Sequence, residues 1–105
     1  MDYLLYLCIM VQKLEQIIDC LGTPYYQNEY GAIYCMDCRE GLAKIPRAIV
    51  DSTITSPPYN IGKEYEQQMP VDAYIEWLSG VIKDVYEVTD ANGSLLLNLG
   101  YLSIE

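Results

Sequence analysis

Four consecutive residues near the middle of the chain, Ser56, Pro57, Pro58 and Tyr59, combine groups that could bind and orient a flat polar ligand. Neither proline nitrogen carries a hydrogen, so the backbone here is rich in acceptors and poor in donors. The serine hydroxyl is a further acceptor, and the tyrosine ring is a stacking surface. Such a set suits a heterocycle with an exocyclic amino group, for instance a nucleobase, because the acceptors bind the amino hydrogens while the ring stacks. Holding those hydrogens turns the nitrogen lone pair towards an electrophile, which is catalysis by orientation and electrostatics.

The residues before this turn predict the strand that positions it. Residues 49–55, Ile-Val-Asp-Ser-Thr-Ile-Thr, form a β-branched run that is typical of a buried strand. Two successive prolines then prevent further strand pairing and an immediate helix, and Pro57 keeps Ser56 extended. We therefore expect the turn at the carboxyl end of a strand, where open α/β sheets bind their ligands.

The first 22 residues predict an amphipathic helix that ends before Gly22, a residue suited to the left-handed position after a helix. Its apolar face is expected to pack on the domain or on a partner and consists of Leu4, Leu7, Cys8, Val11, Leu14, Ile18 and Leu21. The apolar run 3–11 lacks a basic segment before it and a cleavage site after it, and it is too short to span a bilayer. Neither a targeting segment nor a membrane partner is predicted.

Strands and helices follow along the rest of the chain. The pattern predicts a strand over 32–36, a helix over 39–45 closed by Pro46, a helix over 71–88, a turn at 90–93 and a strand over 94–100. The last strand is continuously apolar, as buried parallel strands are. Asp37 is placed to cap the helix over 39–45. The inward face of the helix over 71–88 is expected to be Ile75, Leu78, Val81, Ile82, Val85 and Tyr86.

Residues 54–59, Ile-Thr-Ser-Pro-Pro-Tyr, resemble motif IV of the amino-methylating DNA methyltransferases. These enzymes transfer a methyl group from S-adenosylmethionine to cytosine N4 or adenine N6. The form with serine first, after threonine and an aliphatic residue, is most associated with N4-cytosine enzymes, whereas adenine enzymes more often carry Asp or Asn there. The resemblance covers about residues 23–101 and includes the segments 24–26, 33–40 and 60–65.

The resemblance implies a role for each residue that matches the family pattern. It implies catalytic roles for Ser56, Pro57, Pro58 and Tyr59, cofactor binding for Asp37, Cys38 and Thr55, and substrate binding for Asn60 and Tyr65. For Asp37 two interpretations stay open, since it could cap a helix or accept from the adenosine moiety of the cofactor. Met36 stands where the family usually has glycine, and its larger side chain leaves less room for a cofactor beside Asp37.

The resemblance also implies a partial Rossmann-like, S-adenosylmethionine-dependent methyltransferase fold with parallel strands, in residues 23–105, preceded by the extra helix in residues 1–22. The chain contains no Phe-x-Gly-x-Gly after a strand, so the main cofactor loop and the target-recognition region are expected elsewhere, in later residues or in a complementary chain. We therefore expect an N-terminal fragment of a cytoplasmic enzyme of prokaryotic or phage type. Alone, it is expected to be inactive.

The charge of the chain bears on its partners. Six lysines and arginines stand against fifteen acidic residues, which gives a net charge of −9. Because phosphate contacts dominate affinity for DNA, a self-sufficient DNA-binding protein would carry a basic face. Double-stranded DNA is thus expected as a partner of the complete enzyme only.

The cysteines predict no metal centre. Cys35 and Cys38 have C-x-x-C spacing, but the chain has no histidine, and Cys8 and Cys20 do not form a second pair. Reduced thiols are the preferred interpretation, with a redox pair as the alternative.

Two other functions stay open beside N4-cytosine methylation. The same chemistry on adenine N6 is compatible with a Ser-Pro-Pro-Tyr turn, because both bases present an amino group. The second alternative is a non-catalytic remnant that binds a protein partner through its N-terminal helix.

Overall fold

The computed structural model describes residues 6–8, 11–60 and 69–100. Within these ranges the chain order is β1 (Tyr6–Cys8), α1 (Val11–Leu21), β2 (Tyr26–Gln27), β3 (Ala32–Ile33), α2 (Cys38–Lys44), β4 (Val50–Thr55), α3 (Val71–Val88) and β5 (Thr89–Leu97). The mixture of helices and strands confirms the predicted α/β class.

The main sheet has the strand order β1-β4-β5, with β4 in the middle. β4 and β5 are parallel, and Thr53, Ile54 and Thr55 pair with Leu95, Leu96 and Leu97. A parallel pair needs a crossover between its strands, and α3 lies in this connection. The predicted parallel arrangement of these two strands and the bounds of the long helix are both confirmed.

The N-terminal helix is shorter than predicted. α1 begins at Val11, and Tyr6–Cys8 instead form a strand that pairs antiparallel with β4, Tyr6 opposite Ile54. A short apolar run fits a strand as well as a helix, and here the free backbone groups along the edge of β4 decide the outcome. The end of α1 is as predicted, because Gly22 has a φ of +86° and its N–H donates to the Ile18 carbonyl at 2.8 Å.

The strand predicted over 32–36 is reduced to Ala32–Ile33, and it does not belong to the main sheet. It pairs antiparallel with Tyr26–Gln27 in a separate hairpin. The hairpin closes on Asn28, whose side chain accepts from the N–H groups of Tyr30 and Gly31 at 2.8 and 3.0 Å. Asparagine favours this local turn, which competes with an extended strand. Asp37 therefore does not follow a strand of the main sheet.

The buried core joins all three helices to β4 or its flanks. Its members are Ile17, Leu42, Ile45, Ile49, Val50, Val85 and Val88. α1 contributes Leu14 and Ile17, so the helix packs on the domain, and Ile17, which the predicted face omitted, is 2% exposed. α2 and α3 are further joined by an ion pair between Arg39 Nε and Asp84 Oδ2 at 2.6 Å, which raises the pKa of the arginine.

Three of the six residues in the predicted inward face of α3 are exposed. Val81 and Val85 are buried as predicted, but Ile75, Ile82 and Tyr86 are exposed. Apolar residues occur on much of the circumference of this helix, so periodicity alone could not identify the buried side.

The turn predicted at 90–93 lies within β5, as an irregularity in the ladder. Val50 pairs with Thr89 and Ser52 with Ser94, so the extra residues bulge out of β5. Asp90 accepts from the N–H of Asn92 at 3.0 Å, which is the local turn that the sequence predicted. A Cβ at Gly93 would lie 2.6 Å from Thr89 Cγ2, so the bulge needs glycine.

One face of the sheet is open where Ile54 and Leu96 lie side by side. These Cα partners are 55% and 56% exposed. In the described residues, none of the helices has the length and apolar character needed to cross a membrane.

Candidate active site

The Ser-Pro-Pro-Tyr turn (residues 56–59) follows directly from β4, the central strand of the main sheet. Ser56 is exposed, Pro57 and Pro58 are buried, and Tyr59 is half-buried. The two prolines thus anchor the turn in the protein while Ser56 stays accessible to solvent. The predicted position, at the carboxyl end of a strand that has a parallel neighbour, is confirmed.

The end of β5 holds this turn from one side. The N–H of Asn98 donates to the Thr55 carbonyl at 3.0 Å, which extends the parallel ladder to the edge of the turn. The Asn98 side chain in turn accepts from the N–H of Gly100 at 3.1 Å. Gly100 has a φ of +69°, and a Cβ there would lie within about 3 Å of three atoms of the Tyr59 ring. The backbone at Gly100 therefore packs directly on this ring.

Asn60 ties the turn to the start of α3. Its amide nitrogen donates to the Met69 carbonyl at 2.8 Å, and its amide oxygen accepts from the Met69 N–H at 2.7 Å. Asn60 has a φ of +61°, which asparagine tolerates better than most residues. These bonds give Asn60 a structural task beside the predicted substrate role. Tyr65, the other predicted substrate residue, lies outside the described residues.

A third contact to the turn comes from Tyr74, a residue that the sequence did not single out. Its hydroxyl donates to the Pro58 carbonyl at 2.5 Å. Its ring lies beside Trp77, with centroids 6.0 Å apart and planes inclined by 32°. Nothing in the sequence pattern indicates this bond, because the two residues are sixteen positions apart and only the folding of α3 brings them together.

The predicted cofactor residues lie at two places. Asp37 caps α2, and its carboxylate accepts from the N–H groups of Arg39 and Glu40 at 2.9 and 3.3 Å. This confirms the cap interpretation, and Cys38, the first residue of α2, is buried beside it. Thr55 ends β4, and its buried hydroxyl has no hydrogen-bond partner in the described part of the chain.

Of the described thiols, Cys20 and Cys35 are free and exposed, and Cys38 is buried. Among residues 6–8, 11–60 and 69–100 there is no group of three or more His, Cys, Asp or Glu side chains that could hold a metal ion. The Ser-Pro-Pro-Tyr turn itself offers a hydroxyl, backbone carbonyls and an aromatic ring.

Known proteins share this sequence pattern. The chain is 41% identical over 92 residues to the type II methyltransferase M.ScaI of Streptomyces caespitosus, which covers 88% of the chain and 30% of that protein. It is 29% identical to the type II methyltransferase M.BglII of Bacillus subtilis, over 82% of the chain and 24% of the relative. It is also 35% identical to the DNA adenine methyltransferase YhdJ of Escherichia coli K12, over 69% of the chain and 26% of the relative.

The chain thus spans about 30% or less of the length of these curated relatives. No solved structure matches it significantly. The family described as DNA methylase matches residues 50–105, which include β4, the Ser-Pro-Pro-Tyr turn, α3 and β5. On this match and on the turn that β4 presents, the chain belongs to the DNA methylases that methylate amino groups of bases.

Proposed function

We propose that this chain provides the base-binding part of an N4-cytosine DNA methyltransferase. The observation that carries the proposal is the placement of Ser56, an exposed residue directly after β4 and three positions before the half-buried Tyr59. The turn between them is fixed by two buried prolines. A cytosine that is flipped out of the duplex could stack on the tyrosine while its amino group donates to the serine.

The catalytic contribution of the turn is orientation. The amino nitrogen of cytosine is a weak nucleophile because its lone pair is conjugated with the ring. An acceptor at Ser56 and a backbone carbonyl of the turn would bind the two amino hydrogens and direct the lone pair out of the ring plane. This task needs a rigid turn, and the contacts from Asn98, Gly100, Asn60 and Tyr74 support one.

S-adenosylmethionine is the proposed methyl donor and would supply the electrophilic methyl group. On this chain, Asp37, Cys38 and Thr55 are the proposed contacts. The buried Thr55 hydroxyl suits such a role because it is a donor at the strand end with no partner among the described residues. Asp37 already accepts two backbone N–H groups, so a cofactor would share that carboxylate with the cap of α2.

DNA is the proposed substrate of the complete enzyme. The chain itself carries a net charge of −9, so the basic surface that binds phosphates would have to come from further polypeptide. A complementary chain, or a continuation of this one, would also supply the cofactor loop and the target-recognition region. We expect the assembled enzyme in the cytoplasm of a prokaryotic or phage-infected cell.

Adenine N6 is the second candidate target. One specific observation favours it: the relative from Escherichia coli, 35% identical over 69% of the chain, is named a DNA adenine methyltransferase. The first residue of the turn is serine in this chain, which favours cytosine on the family pattern. The two candidates share every proposed role except the identity of the base.

A fusion tests this proposal. Residues 1–100 would replace the corresponding part of the Streptomyces caespitosus relative, which supplies the remainder of the fold. Transfer of labelled methyl to DNA is then measured, and the DNA is digested to identify the methylated nucleoside. We expect N4-methylcytosine, and Ser56→Ala in the fusion should abolish most of it. N6-methyladenine would establish the second candidate, and a folded but inactive fusion beside an active parent would reject catalysis by this turn.

A further inference from the structure

The hydrogen bond from Tyr74 to Pro58 acts on a soft backbone angle of the Ser-Pro-Pro-Tyr turn. The proline rings fix φ at Pro57 and at Pro58. Pro58 also restricts ψ of the residue before it, Pro57. Two backbone angles between the prolines and the aromatic ring stay soft: φ of Tyr59 and ψ of Pro58, which sets the direction of the Pro58 carbonyl. The Tyr74 hydroxyl donates to this carbonyl at 2.5 Å and so restricts ψ of Pro58.

Tyr74 is itself held in place. Its N–H donates to the Pro70 carbonyl at 2.9 Å in the first turn of α3, and its ring lies against Trp77. The start of α3 is tied to the turn by the two bonds between Asn60 and Met69. The hydroxyl thus reaches the Pro58 carbonyl from a fixed helix, and little side-chain entropy is lost when a ligand binds.

We infer that Tyr74 is a positioning residue for base binding, which acts through the Pro58 carbonyl. Because the same peptide unit begins Tyr59, this bond orients the peptide plane from which the Tyr59 residue leaves the turn, and φ and χ1 of Tyr59 then complete the orientation of its ring. In this role Tyr74 would act without touching the base or the methyl donor. The inference rests on the proposed function, because it gives α3 a part in orienting Ser56 and Tyr59, the two groups that would bind the base.

The hydrogen bond can be observed directly. A Pro-Tyr dipeptide occurs only at residues 24–25 and 58–59, so carbonyl-¹³C proline combined with ¹⁵N tyrosine gives two correlated NMR signals in this chain. Tyr74→Phe should move the signal of Pro58–Tyr59 upfield and leave that of Pro24–Tyr25 in place. Tyr86→Phe is the matched control, because Tyr86 lies on the same helix and is 78% exposed. Equal signals for both variants would overturn the inference.

Nucleoside binding tests the role of the bond. 2′-Deoxycytidine and 2′-deoxyadenosine carry no phosphate, so the charge of −9 does not oppose them, and each is titrated while the Pro58–Tyr59 signal is followed. Loss of a single neutral hydrogen bond should weaken binding about two- to tenfold in Tyr74→Phe, and Tyr86→Phe should bind as the parent does. Thermal unfolding of each variant shows that it remains folded.

The outcomes separate this inference from the proposed function. Suppose that Tyr74→Phe moves the Pro58 signal and still binds nucleoside with parental affinity. In that case the bond is structural only, the positioning role is refuted, and base binding by the turn is still supported. If neither nucleoside binds the parent chain even at high concentration, base binding by this turn falls, and the role of Tyr74 falls with it. If Ser56→Ala loses affinity as Tyr74→Phe does, both are supported.

Discussion

The backbone of Gly100 lies against the ring of Tyr59, so close that a Cβ at position 100 would be 2.9 Å from Cε2 and 3.0 Å from Cδ2 and Cζ. This contact joins the segments that leave two neighbouring parallel strands, β4 and β5. The ring that would stack on a base is therefore braced by the backbone of the segment that follows β5. Its position depends on a residue forty-one places further along the chain.

We expect Gly100→Ala to impair the site more than the fold. The added methyl group would displace the ring of Tyr59, and the φ of +69° is strained for alanine by roughly 1 kcal/mol. Nucleoside binding, or methyl transfer in the fusion, should fall while the chain remains folded. Gly31→Ala is the control, because nothing lies within 4 Å of its Cβ position. Full activity in Gly100→Ala would show that the ring needs no brace.

Ser56→Ala should lower turnover of the complete enzyme while cofactor affinity stays constant. The hydroxyl is proposed to contact the amino group of the base and not the methyl donor, and loss of one positioned group costs about ten- to a thousandfold in rate. Single-turnover methyl transfer and cofactor titration measure the two effects separately. Ser79→Ala, at an exposed position of α3, should change neither. An alanine variant that methylates at the parental rate would leave Ser56 as a turn residue only.

Substitutions at Tyr59 should separate stacking from hydrogen bonding. Stacking requires the ring and not the phenol, so Tyr59→Phe should be mild, whereas Tyr59→Ala should lose about 1–3 kcal/mol of base binding. The affinity for nucleoside or the KM for DNA of the fusion gives this value. Equal losses in the two variants would assign the role to the hydroxyl and refute stacking.

Substitutions at Asp37 should distinguish its two roles. The cap of α2 accepts two N–H groups, so Asp37→Ala should reduce the free energy of unfolding by about 1 kcal/mol. Asparagine is an equally good cap, and Asp37→Asn should retain most of the stability. If Asp37→Asn unfolds like the parent but weakens cofactor binding in the fusion, the carboxylate also serves the cofactor. If Asp37→Asn binds the cofactor with parental affinity, the helix cap is the sole task of Asp37.

The chain alone should neither bind S-adenosylmethionine measurably nor methylate DNA. Cofactor affinity in doubly wound sheets rests largely on a Gly-rich turn and on an acid that binds the ribose, and the chain offers only the secondary contacts described above. Its net negative charge opposes DNA, most strongly at low salt. Calorimetric titration and a methyl-transfer assay test both statements. Saturable binding near micromolar concentration would reveal a cofactor site within these 105 residues.

The sequence predicted those parts of the structure whose signals are local. β4 follows from a β-branched run that ends in two prolines, and α3 follows Pro70 and keeps its predicted bounds, Val71–Val88. The cap at Asp37 and the glycine after α1 are likewise local chemistry. For the same reason the position of the Ser-Pro-Pro-Tyr turn could be predicted without the structure.

The parts that the sequence did not predict depend on distant partners. Tyr6–Cys8 form a strand because the edge of β4 lies beside them, forty-six residues or so further along the chain. The strand predicted over 32–36 forms its hairpin with β2, and among the described strands β4 pairs with β1 and β5 instead. The contact of Tyr74 with the turn needs the crossover to be complete. None of these relationships has a sequence spacing that could have indicated it.

The open pair of Ile54 and Leu96 has a consequence for the behaviour of the purified chain. Two neighbouring aliphatic side chains on a solvent-facing sheet tend to bring molecules together, whereas the net charge of −9 keeps them apart. Colloidal stability then depends on the balance between the two. Added salt screens the repulsion and leaves the apolar attraction intact, and acidification towards the pI of about 4.2 removes the charge itself. The chain should therefore remain monodisperse in dilute neutral buffer and self-associate as either the salt or the acidity is increased.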